Sequence, residues 1–154
     1  MHYVDRHYRT IAKRSGRALI GLSAGGYGAA IIGFHHPETY SVVEAWSGYF
    51  HPTTPDGTGP QDVGGDRANR LASVHTYARK ALGIYARLPT FLGFYVGDRD
   101  RRFRAENEQF DRELRHYRVP HVFAVYPGTH SGTFWDEHED DWIVTALDHL
   151  SRPA

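Results

Sequence analysis

A serine hydroxyl becomes a useful nucleophile only when a base takes its proton. The stretch Gly21-Leu22-Ser23-Ala24-Gly25-Gly26 is a complete match to G-x-S-x-G. In that motif the serine sits on a strained strand-to-helix turn, with its hydroxyl exposed above a sheet. Glycines there tolerate the tight turn and let strand and helix approach closely. Ser23 is therefore the candidate nucleophile. Its base would be a histidine, oriented by a carboxylate. Val96-Gly97-Asp98-Arg99-Asp100 offers two acids, and Tyr126-Pro127-Gly128-Thr129-His130 offers the histidine. The competing reading of the turn, a phosphate-binding loop at a helix N-terminus, lacks both the Gly-Lys-Ser/Thr ending and the G-x-G-x-x-G spacing.

The elements needed to hold these residues are legible in order. His2 to Arg14 has apolar residues at i, i+4 spacing and predicts a helix. Arg17 to Leu22 is a nearly unbroken apolar run, as in a strand covered on both faces. Ala24 to His36 follows as a helix that Pro37 stops. Ser41 to Trp46 is a second strand. Tyr49 to Asp66 is a Pro- and Gly-rich loop, a candidate lining for a substrate pocket. Arg67 to Leu88 reads as two helices broken near Ser73, and Thr90 to Val96 as a third strand. Phe103 to Tyr117 is an amphipathic helix with Asn107 and Glu108 on its polar side. His121 to Tyr126 is a fourth strand, and Thr133 to Leu150 a closing helix. Strands alternating with helices imply a mostly parallel sheet with helices on both faces. In such sheets reactive groups gather beyond the carboxyl ends of the strands. Ser23, Asp98 and Asp100, and His130 each follow a strand, in the chain order Ser, Asp, His of α/β-hydrolases.

With these placements the chain resembles the esterase family of α/β-hydrolases that includes S-formylglutathione hydrolases, feruloyl esterases and mycobacterial mycolyltransferases. The resemblance rests on the Ser23 turn through Ala29, on His36-Pro37-Glu38, on Trp46-Ser47-Gly48-Tyr49, on Gly97-Asp98-Arg99-Asp100 with Asn107, and on Tyr126 to His130. It implies an ester hydrolase acting through an acyl-enzyme on a small-molecule ester, without a cofactor; an acyl acceptor other than water would make the same site a transferase. In the family the acid stands three positions after the glycine ending its strand, which implies Asp100, with Asp98 as the fallback. The Ala24 N–H would supply one oxyanion donor. Two departures stand out. Around the base the family reads Gly-Gly-His-Asp-Trp, whereas this chain reads Gly128-Thr129-His130-Ser131-Gly132. Family members also carry several strands before the nucleophile strand, and a loop there supplies the second oxyanion donor. Losing one such donor costs about 2.7–4 kcal/mol of transition-state stabilisation.

The expectation is thus one domain over residues 1–154: a partial α/β-hydrolase fold of about four mostly parallel strands, lacking the N-terminal strands. Strand 17–22 would then be an exposed edge, prone to self-association. The rival expectation is a catalytically inactive half-domain that serves binding or assembly. The 18 basic and 18 acidic residues cancel, so no global field favours nucleic acid. There is no cysteine, which removes disulfides, thiolate nucleophiles and cysteine zinc sites. No apolar run approaches the roughly 18 residues of a membrane helix, and no apolar h-region follows Met1 to Arg6. No metal site is expected. His35-His36 and His51 fit no standard zinc spacing, and His130, His138 and the acids of residues 137–141 read as a solvated face. Trp46, Trp135 and Trp142 read as core.

Overall fold

The computed structural model describes residues 2–54 and 57–151; Pro55 and Asp56, within the loop expected at 49–66, lie outside the described residues. Four strands, β1 (Ala18–Leu22), β2 (Val42–Trp46), β3 (Phe91–Gly97) and β4 (Val122–Tyr126), form one sheet in the order β1-β2-β3-β4. Every pairing is parallel, with Leu22 opposite Trp46, Trp46 opposite Tyr95, and Gly97 opposite Tyr126. The carboxyl ends of all four strands therefore finish at one edge of the layer. The described elements form the α/β architecture expected from the alternation of strands and helices.

Among the described residues seven α-helices accompany the sheet: α1 (His2–His7), α2 (Ala24–His35), α3 (Asp66–Ala72), α4 (His75–Arg87), α5 (Arg104–His116), α6 (Gly132–Asp136) and α7 (Glu139–Asp148). Helices α2, α4 and α5 cover one face, where Phe34, Val43, Phe50, Ala81, Phe94, Phe110 and Leu114 pack together. Helices α6 and α7 cover part of the other, where Trp46, Tyr95, Phe134 and Trp142 form a second core. The inner strands β2 and β3 are almost wholly buried. That includes Glu44, whose carboxylate accepts from Trp46 Nε1 at 2.9 Å and from Tyr95 Oη at 3.1 Å.

Several expectations need correction. The N-terminal helix stops at His7 rather than Arg14. Tyr3, Val4 and Tyr8 are exposed, Tyr3 stacking only within its own helix on His7 among the described residues, and so short a helix gains little stability without packing. The chain instead runs on to Arg14, whose guanidinium donates to the carbonyls of Pro37, Leu88 and Pro89 and to Thr90 Oγ1, at the end of the sheet away from Ser23. The closing helix is two, interrupted at Glu137-His138. β1 is not covered on both faces: Ile20 and Leu22 are exposed, and β1 pairs only with β2 among the described residues. The loop after β2 is anchored at its start, because Phe50 is buried and stacks on Phe110 at 4.2 Å.

Candidate active site

Ser23 stands between β1 and α2 with φ 52° and ψ −120°, a left-handed backbone that a non-glycine residue adopts only under constraint. The constraint is visible. Ser23 N donates to Trp46 O at 2.8 Å, which extends the β1–β2 ladder by one residue. Its carbonyl then accepts from Gly26 N and Tyr27 N, which starts α2. The turn closes so tightly that a Cβ at Gly21 would lie 2.2 Å from Gly25 O. Gly26 is hemmed in less severely, with Gly21 O and Gly48 Cα each at 3.0 Å from its would-be Cβ. Gly25 has open space there, so its place in the motif has no steric reason among the described residues. The Ala24 N–H, at the very start of α2, has no carbonyl of its own helix to donate to.

Asp100 lies on the turn after β3 and is 2 % exposed. Its Oδ1 accepts from Arg102 N and Phe103 N, which fixes the carboxylate plane. Its Oδ2 faces His130 Nδ1 at 2.9 Å. A carboxylate can only accept, so Nδ1 carries the proton and Nε2 presents its lone pair. His130 Nε2 lies 2.9 Å from Ser23 Oγ. Three residues separated by 77 and 30 positions in sequence are thus linked in one hydrogen-bonded line (100 − 23 and 130 − 100). Asp98 is not part of it. That carboxylate accepts from Gly128 N at 2.8 Å and lies 3.5 Å from Arg99 Nε, holding the two loops together.

The loop carrying His130 departs from the family pattern without strain. Thr129 is not among the described residues with positive φ, so this position does not call for the left-handed backbone that favours glycine. Ser131 caps α6, its Oγ accepting from Phe134 N at 3.4 Å. Phe103 and Trp135 pack edge-on against the His130 ring at 5.1 and 4.9 Å. Trp135 is half-buried rather than core, and its Nε1 donates to Ser47 Oγ. Trp46 and Trp142 are core, as expected. Asn107 is a second correction. It is fully buried rather than on the polar side of α5, and its Nδ2 donates to Gly48 O and Phe103 O. Nothing in the helical pattern signalled this, because a buried amide looks like a solvated one until its acceptor is known.

A cavity of about 790 Å³ opens beside His130, lined by Asp98, Arg99, Arg101, Arg102, Arg104 and Thr129 among others. The loop after β2 lines a different cavity, of about 600 Å³. His35 and His36 turn to Leu71 O and Glu38, and His138 stacks on Trp142, so neither suspected metal group assembles among the described residues.

A family model described as "Putative esterase" matches residues 1–138. No curated protein matches the chain. Among solved structures, a ferulic acid esterase is 26% identical with a TM-score of 0.79, over 97% of this chain and 58% of its own. S-formylglutathione hydrolase from Staphylococcus aureus is 20% identical with a TM-score of 0.75, over 95% of this chain and 57% of its own. The S-formylglutathione hydrolase from Agrobacterium tumefaciens is 20% identical with a TM-score of 0.76, over 97% and 54%. The chain therefore spans a little over half the length of these three structures.

Proposed function

The chain belongs to the Putative esterase family, and from that premise we propose that it is a serine hydrolase of carboxylic esters. The observation that carries the reading is the line Ser23 Oγ, His130 Nε2, His130 Nδ1, Asp100 Oδ2, with both contacts at 2.9 Å. In this reading His130 Nε2 takes the Ser23 proton as Oγ adds to the ester carbonyl. The negative charge that develops on the carbonyl oxygen is met by the Ala24 N–H at the start of α2, where the helix dipole also favours it. His130 is then an imidazolium, and the ionised Asp100 stabilises it. Collapse of the tetrahedral intermediate passes the proton from His130 to the leaving alcohol and leaves an acyl group on Ser23. Water, deprotonated by the same His130, then releases the acid. A different acceptor in place of water would give acyl transfer with the same residues.

The test is stopped-flow hydrolysis of a p-nitrophenyl ester. The expected result is a burst of p-nitrophenol, one per chain, followed by slower turnover, with both phases absent in Ser23→Ala. A rate unchanged in that variant would overturn the proposal. A folded chain with no turnover at all would point to the binding-module reading.

A further inference from the structure

Three side chains outside the reaction described above converge next to the loop that follows β2. Glu106 stands in the first turn of α5, His75 opens α4, and His51 lies on the loop. Glu106 Oε1 is 2.5 Å from His51 Nδ1 and 3.4 Å from His75 Nε2. Each residue offers one ligand atom, and all three atoms lie within 4.8 Å of one another. His75 Nδ1 is 2.6 Å from Glu113 Oε2. Glu113 can only accept, so Nδ1 carries a proton and Nε2 is the atom turned to Glu106.

With Nδ1 of His75 donating to Glu113, a neutral His75 turns its Nε2 lone pair toward the Glu106 carboxylate, which is repulsive unless a cation is shared, whereas a neutral His51 can donate to Glu106 from Nδ1. That cation is either a proton on His75 Nε2 or one divalent ion. Three features favour the ion. A histidine whose far N–H donates to a carboxylate is the arrangement that orients metal-bound histidines. Two imidazoles and a carboxylate form a donor set suited to zinc. Glu106 and Glu113 together balance the two charges of such an ion. Access exists too, since His51, His75 and Glu106 all line the 600 Å³ cavity. His51 is 34 % exposed and sits on a loop, so it can shift outward to admit an ion at about 2.0–2.2 Å from its ligands.

We propose that His51 Nδ1, His75 Nε2 and Glu106 bind one zinc-class divalent cation, with Glu113 positioning His75. The ion ties the loop after β2 to α4 and α5. It is a structural site, apart from the Ser23 line, and it does not depend on the proposed esterase activity.

The full chain, stripped with a chelator, is titrated with zinc by calorimetry and with cobalt(II) by visible absorption. One ion per chain, cobalt bands of low-coordinate geometry and a zinc-dependent rise in Tm are expected. His51→Ala should abolish all three. Glu113→Gln should weaken zinc binding about 10–100-fold, and this variant decides the matter if His51→Ala fails to fold by circular dichroism. Absence of binding would overturn the proposal and leave a network of protons alone. So would binding that survives both substitutions, which would place the ion on others of the eleven histidines.

Discussion

Asp100 and His130 meet through one carboxylate oxygen and one ring nitrogen at 2.9 Å, while Asp98, two residues earlier, holds Gly128 N instead. The two acids are neighbours in sequence and differ completely in what they touch. If Asp100 fixes the His130 tautomer, Asp100→Asn should lower kcat on a p-nitrophenyl ester by about 10⁴-fold. Asp98→Asn should leave kcat of the same order, because it loosens a loop contact and leaves the His130 proton in place. Equal losses in the two variants would reverse the assignment.

The two outer glycines of the G-x-S-x-G turn should respond with opposite signs. At Gly21 an added Cβ meets Gly25 O at 2.2 Å, backbone that cannot swing aside. Gly21→Ala should cost about 1–3 kcal/mol in urea unfolding. At Gly25 a Cβ meets nothing within 4 Å, and the residue lies inside α2. Gly25→Ala should stabilise by about 0.4–1 kcal/mol, chiefly by restricting the unfolded chain. Similar destabilisation by both would contradict the packing described at the turn.

Glu44 gives the sheet a pH dependence. Burial raises its pKa, and the hydrogen bonds from Trp46 and Tyr95 only partly oppose that. A carboxyl whose folded pKa lies above its unfolded value, about 4.3, imposes no penalty at pH below the unfolded value. The unfolded chain releases the proton first as pH rises, so stability falls from there until pH passes the folded pKa. Glu44→Gln removes the charge, keeps one oxygen to accept from Trp46 Nε1 and turns its NH2 to Tyr95 Oη, which can accept instead of donate. Its Tm should rise relative to the unsubstituted protein as pH increases from 4 to 8. A constant Tm difference across that range would show that Glu44 is not the source.

How far the sequence could be read depended on whether a residue's role is local. The convergence of Ser23, an acid at Asp98 or Asp100, and His130 was legible because each follows its own strand and parallel topology brings strand ends together; preferring Asp100 to Asp98 took the family resemblance. Asn107 and Glu44 were not legible, since burying either requires a partner distant in sequence: Gly48 O for Asn107 and Tyr95 Oη for Glu44. The His51, His75 and Glu106 cluster escaped for the same reason, as its members come from a loop and two helices. The first helix was overextended because spacing alone cannot reveal that Tyr3 and Tyr8 stay exposed to solvent.

The outer side of β1 predicts association between copies of this chain. Its backbone has no strand partner on that side among the described residues, and Ile20 and Leu22 are exposed next to it. Exposed apolar edges of this kind pair with other chains, and a lysine on the edge opposes it. Sedimentation velocity should show association that grows with concentration and weakens in Ile20→Lys. A monomer over the whole accessible range would refute this.

The most direct test of the central claim is covalent labelling by a fluorophosphonate probe, read by peptide mass spectrometry. An activated serine is expected to carry the label on the peptide containing Ser23. Labelling should vanish in Ser23→Ala and fall steeply in His130→Ala, while both variants keep the circular dichroism of the unsubstituted chain. A folded protein that takes no label at large probe excess, or that takes it on another residue, would contradict the assignment of Ser23 as nucleophile.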